Sequence, residues 1–198
     1  MKKIKNPFLK KGPLTSCAVA FFLGVVSCTV FFENNKQLTI TDVQSHIQIT
    51  PCFTPQKKCL PLILDTIENA RSSIFVQGYS FTSKPIAQAL ITAKNKGIDV
   101  RIILDARQLD NRSQYALLKE ASLPILTDST VAASHNKVMI IDAEKVLTGS
   151  YNWTNAAENR NAENLLLIEN KDLAQTFLQS WQNRKTQILE RAEKKKWG

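Results

Sequence analysis

Histidine is scarce in this chain: His46 and His135 are the two that its 198 residues contain. A reaction that needs two imidazoles must use both or take one from a second copy. Cysteine is nearly as rare, at four residues, and no second Cys or His pair stands at a spacing that would complete a zinc site. There is no internal repeat and no low-complexity tract, which sets aside solenoids and disordered arrays. What is present is an ordinary apolar fraction, 43%, enough for one core. The length suits one domain plus an appendage.

The appendage is the N-terminus. Lys2, Lys3, Lys5, Lys10 and Lys11 supply five of the nine net positive charges and leave about +4 for the rest. That remainder is compatible with a polyanionic partner without demanding one. The lysines lead into Leu14 to Phe32, an uncharged and mostly apolar run. Its length fits either a cleaved signal peptide or a retained membrane anchor. Val25-Val26-Ser27-Cys28 is similar to a lipoprotein cleavage box, although apolar residues follow Cys28. Positive charge ahead of the run keeps that end inside and sends the remainder outward. Residues 1–32 are therefore read as a targeting segment, 33–42 as a linker and 43–198 as the folded domain. The expected location is outside a bacterial cytoplasm: periplasmic, secreted, or tethered to the inner membrane by 14–32. Cys52 and Cys59 flank a turn-forming hexapeptide and suit a small-loop disulfide in such a compartment.

Within the domain, residues near Val43 to Thr50 alternate as a first strand. Leu60 to Ala70 repeats apolar residues at helical spacing. Ser73 to Tyr79 reads as a buried strand. Ser83 stands where it can cap the next helix, Pro85 fits its first turn, and Gly97 ends it. Ile98 to Leu104 is a strand, Ser113 to Ala121 a short helix and Pro124 to Thr127 a short strand. Strands follow around Val138, at Lys145 to Thr148 and at Leu165 to Ile168, with a helical turn over Trp153 to Glu158. A long helix from Lys171 to about Lys194 closes the chain. Helices alternating with strands, then strands clustering, predict an α/β fold: a layered α/β/α domain around a mixed sheet.

The chemistry concentrates in one place. His135 and Lys137, Asp142, and then Gly149-Ser150-Tyr151-Asn152 follow the spacing H-x-K-x4-D-x6-G-S-x-N. Side chains two apart on an extended segment point the same way, so His135 joins Lys137 and Ser150 joins Asn152. One nucleophile, one cation and two neutral hydrogen-bonding groups are what a phosphodiester requires. The pattern occurs once, and His46 has no lysine two residues on and no Gly-Ser downstream.

This motif resembles that of the phospholipase D superfamily. Cys52-Phe53-Thr54-Pro55, Val76 to Ser83, Gly97 to Arg101 and Asn161-Ala162-Glu163-Asn164 are similar to its small single-motif bacterial endonucleases, a likeness covering about residues 45 to 185. The resemblance implies a covalent phosphohistidine on His135 and phosphate oxygens held by Lys137, Ser150 and Asn152. It implies that Glu163 bonds the far nitrogen of the histidine, and that Asp142 serves the local fold more than the phosphate. Tyr79, Ser80 and Phe81 are candidates to line the cleft, with Phe81 equally suited to the core. Lysines stand in for a metal, so no metal and no cofactor are expected. Because one motif brings one histidine, a two-fold homodimer must place His135 of each subunit across one phosphate. The expected substrate is DNA, with RNA as a further possibility. The alternative is a phospholipase D acting on phospholipid headgroups at a membrane.

Overall fold

The structure, a computed structural model, describes residues 47–56 and 58–197. The targeting segment, the linker, Cys17, Cys28, His46 and the start of the first expected strand lie outside the described residues. Among the described residues no helix is long and apolar enough to cross a membrane.

Seven strands form one mixed sheet in the order β1-β7-β6-β5-β2-β3-β4. In chain order they are β1 (Gln48–Thr54), β2 (Ser73–Gly78), β3 (Asp99–Asp105), β4 (Ile125–Asp128), β5 (Lys137–Ile141), β6 (Lys145–Gly149) and β7 (Glu163–Glu169). The helices are α1 (Leu60–Glu68), α2 (Lys84–Asn95), α3 (Tyr115–Glu120), α4 (Asn155–Asn159) and α5 (Lys171–Trp197). β2, β3 and β4 run parallel, joined by helical crossovers, while β2, β5, β6, β7 and β1 pair antiparallel. The α/β/α layering predicted above is therefore what the chain adopts.

Two apolar clusters sandwich the sheet. On one face, Ile63 and Ile67 of α1 and Ile86 and Leu90 of α2 pack with Val76, Ile102, Met139, Leu147 and Leu165. On the other, Ala174, Trp181 and Ile188 of α5 pack with Ile103, Val138, Ile140 and Val146. β5 is buried at every position, as a central strand covered on both faces must be.

Three expectations change. The first strand reaches Thr54 rather than stopping at Thr50, because β1 is a sheet edge and tolerates Pro51. Ser83 occupies the cap position of α2, but its side chain makes no capping bond; its N–H is held instead by the Trp153 carbonyl. Phe81 does not line a cleft. It is 1% exposed within the first cluster, and its bridge to Trp153 turns the ring inward. Cys52 and Cys59 form the expected disulfide, which ties β1 to the entrance of α1.

Asp142, at the end of β5 away from His135, closes a local knot. Its φ of 55° is one that Asp tolerates better than most residues. Its carboxylate accepts the N–H groups of Arg71, Ser72 and Ser73 and the Ser72 hydroxyl, at 2.8–3.1 Å. Burial is the largest single influence and pushes its carboxyl up. The N–H groups of Ser73, Ser72 and Arg71 together outweigh it and hold the carboxyl below its ordinary value. A lowered carboxyl stabilises the fold above its unfolded pKa and loses that contribution as pH falls through the folded value. Asp142→Ala should therefore cost about 2 kcal/mol at neutral pH, with the deficit shrinking below about pH 4. Urea unfolding at both pH values measures it; a deficit independent of pH would contradict the assignment.

Candidate active site

The site forms where β2 ends and β5 begins. Gly78 pairs with Lys137, and the next rung continues as Tyr79 N–H to the Asn136 carbonyl at 3.0 Å. This brings the Tyr79 ring to 4.3 Å from the His135 ring, centroid to centroid, with the planes tilted by 54°. Gln108 donates to the Tyr79 hydroxyl at 3.1 Å and fixes that ring from the side. His135 itself is exposed, in the extended segment just before β5.

Lys137 is 7% exposed, although it carries a charge. Its Nζ stands 3.0 Å from His135 Nδ1 and 2.9 Å from the His135 carbonyl oxygen. It also lies 5.1 Å from the Tyr79 ring centroid, within cation–π range. Burial lowers its pKa, and the negative charge of Glu163 pulls partly the other way. The imidazole and the ammonium thus converge as their two-residue spacing implies.

The segment carrying His135 is pinned from behind. Asp105, 0% exposed at the end of β3, accepts the Ser134 N–H at 2.7 Å. The Arg107 side chain and N–H bind the same carboxylate. Burial is the strongest single influence on Asp105 and pushes it up, but the bonds from Arg107 and Ser134 together hold it below its ordinary value. No local pattern in the sequence marks Asp105, because its partner lies 29 residues away.

The second cluster hangs from β6 and β7. A Cβ at Gly149 (φ 156°) would sit 2.3 Å from the Asn164 carbonyl oxygen, so only glycine fits. Beyond it the chain alternates: Tyr151 and Trp153 are both fully buried, while Ser150 and Asn152 face the other way. Trp153 Nε1 is tied to the Gln77 carbonyl at 3.0 Å. The Oδ1 of Asn152 is buried and has no hydrogen-bond partner.

Glu163 departs from what the resemblance implies. Its Oε2 accepts from Ser150 Oγ at 2.5 Å and its Oε1 from Asn161 Nδ2 at 2.9 Å. His135 Nδ1 faces Lys137 instead. Glu163 begins β7, one strand beyond β6, and takes the hydroxyl nearest to it. Ser80 lies half-buried next to Tyr79. Asp142, at the other end of β5, makes its bonds to residues 71–73. Among the described residues no three His, Cys, Asp or Glu side chains gather as a metal would require.

Residues 63–184 match the family described as "Cardiolipin synthase, PLD-like domain". A protein of Rickettsia prowazekii named "Phospholipase D" is 36% identical over 204 residues, covering 94% of this chain and 97% of its own. A "Mitochondrial cardiolipin hydrolase" of Mus musculus is 31% identical over 134 residues, 67% of this chain and 61% of its own. Among solved structures, the phospholipase D family member Nuc of Salmonella typhimurium superposes with a TM-score of 0.68 at 38% identity. That match covers 71% of this chain and 95% of Nuc. NucT of Helicobacter pylori gives a TM-score of 0.66 at 25% identity, over 73% and 96%. With an imidazole and an ammonium side by side at the end of such a sheet, the chain belongs to the phospholipase D superfamily and is a hydrolase of phosphodiester bonds.

Proposed function

We propose that this protein is a nonspecific, metal-independent nuclease that works as a homodimer through a covalent phosphohistidine. The observation that carries this reading is the half-site itself. One exposed imidazole lies beside one buried ammonium 3.0 Å away, and His135 is the sole histidine among the described residues. In this scheme a ring nitrogen of His135 attacks phosphorus, the N–P bond forms and the P–O bond to the leaving group breaks. The partner's His135 delivers its proton to the departing oxygen and then takes one from water as the N–P bond is hydrolysed. Lys137 gives up its contacts with His135 to the nonbridging oxygens, as does Ser150 its bond to Glu163, and Asn152 adds an amide donor.

The surface supports pairing. Ile49 and Phe53 of β1 are 53% and 52% exposed. They lie opposite Ile168 and Asn164 of β7, with Pro51 opposite Leu166 between them. These residues share the sheet face that α5 covers over β6, β5 and β2, and α5 leaves them open. The stripe ends beside Glu163, so a second copy docked on it would stand next to the catalytic residues.

Nucleic acid is favoured by the exposed Arg107, bound to the same Asp105 carboxylate that holds the segment before His135, by the Tyr79 ring as a stacking surface and by the basic balance of the domain. Phospholipid is the second reading, favoured by the near full-length match to the Rickettsia protein named "Phospholipase D". Protein lacking residues 1–32 should cleave plasmid DNA in EDTA, and His135→Ala should lower the rate by roughly 10⁴-fold or more. Choline release from phosphatidylcholine vesicles with intact DNA would move the assignment to a lipase.

Two further outcomes follow from the geometry. Co-refolding equal amounts of wild-type and His135→Ala chains should leave about one quarter of the wild-type activity if both histidines are needed, against about one half for independent subunits. Catalysis needs Lys137 as a cation, so activity falls as pH rises through its lowered pKa. Glu163→Gln removes the charge that partly restores that pKa and should move the alkaline limb of kcat to lower pH. An unmoved limb would remove Lys137 from the titration.

A further inference from the structure

We infer that Glu158, outside the motif, is a positioning residue that sets the phosphate-binding loop Gly149–Asn152. The inference rests on the role proposed above for Ser150 and Asn152. Glu158 is 5% exposed, and no salt bridge among the described residues involves it. A carboxylate withdrawn from water without a cation is costly unless several donors converge on it. Three do. Its Oε2 accepts the N–H of Cys59 at 3.1 Å, the N–H of Leu60 at 2.9 Å and the hydroxyl of Tyr151 at 3.0 Å.

Two of these donors open α1. Cys59 makes no side-chain cap, and a proline in the first turn removes one of the donors. Glu158 supplies the missing acceptor from 99 and 98 residues away in sequence, where the helix dipole favours a negative charge. Cys59 is also anchored to β1 through the disulfide with Cys52. The carboxylate is thus held on two sides by the rigid frame of the domain.

Its third bond reaches the site. Tyr151 is fully buried and lies between Ser150 and Asn152. Burial, followed by the charge and hydrogen bond of Glu158, raises the Tyr151 pKa, so its hydroxyl stays protonated and keeps donating. If Tyr151 moves, the residues on either side move with it. The second carboxylate oxygen, Oε1, is buried and unpartnered. A residue serving only as a helix cap has no need of the tyrosine, and an apolar residue would fill the space without this orphaned oxygen. Glu158 instead orients the loop as a rigid spacer between the disulfide-braced helix and Tyr151.

The test is a double-mutant cycle with Glu158→Gln and Tyr151→Phe in the full folded protein, both near in volume to the residues they replace. Rates are read on bis(p-nitrophenyl) phosphate well below the melting temperatures, beside His135→Ala. Orthovanadate affinity is read in parallel by calorimetry, which needs no turnover. Each single variant should lower kcat roughly tenfold or more with a smaller change in KM, and weaken vanadate similarly. The double variant should lose no more than the worse single one, because both substitutions act on the same bond, one by neutralising its acceptor and the other by deleting its donor. Glu158→Gln with a lower melting temperature but wild-type kcat and vanadate affinity would make it a helix cap and overturn the inference. Fully multiplicative losses would also overturn it. A wild-type protein that binds vanadate through His135 yet turns nothing over would instead put the catalytic reading at fault, and the vanadate cycle would still decide the role of Glu158.

Discussion

A lysine ammonium held almost out of water is the constraint around which this site is built. Lys137 occupies the first position of a strand that is buried throughout, where an unpaired charge would cost on the order of several kcal/mol. What offsets that cost are the carbonyl of His135, the face of Tyr79 and the field of Glu163, with the His135 ring nitrogen 3.0 Å away. Each of these partners is soft or distant, and none is a full ion pair. In the proposed reaction the ammonium would exchange these partners for phosphate oxygens, which compensate a cation better.

The rest of the domain keeps this arrangement rigid. The sheet delivers Lys137 at the start of β5 and Tyr79 just past the end of β2, and their backbones cannot drift without breaking the pairing that runs on to Tyr79 and Asn136. Asp105 secures the segment before His135. Trp153 and Glu158 secure the loop that follows β6 from the opposite side. Loops carry the polar groups, while buried aromatic side chains fix where those loops go. The uncovered stripe on β1 and β7 belongs to the same logic. A sheet face covered by α5 over only part of its width leaves Ile49, Pro51 and Phe53 open towards the end of the sheet that carries the site, the surface that the proposed pairing would use.

Much of this was legible in the sequence, and the reason differs by feature. The motif was readable because its residues are local: His135, Lys137, Ser150 and Asn152 lie within one short stretch, and alternation sets His135 beside Lys137 and turns Ser150 and Asn152 to one side. The α/β/α layering was readable because apolar periodicity switches cleanly between helix and strand. Asp105 and Glu158 were not readable as site residues, since their partners lie 29 and about 99 residues away, and nothing in a linear pattern marks a long-range hydrogen bond. Phe81 was ambiguous because an aromatic after a buried strand suits a cleft or a core equally; its bridge to Trp153 decides for the core. Glu163 shows a different limit. Its type and position were readable, but which donor it satisfies depends on how β6 and β7 pair.

The proposed covalent intermediate on His135 can be trapped directly. Protein mixed with excess DNA is quenched in alkali within the turnover time, digested, and analysed by mass spectrometry for a nucleotide joined through its phosphate, a link that acid cleaves and base spares. The expected result is such an adduct on the peptide containing His135, lost in His135→Ala. Turnover with no adduct on that peptide, or with the group on any other residue, would contradict it.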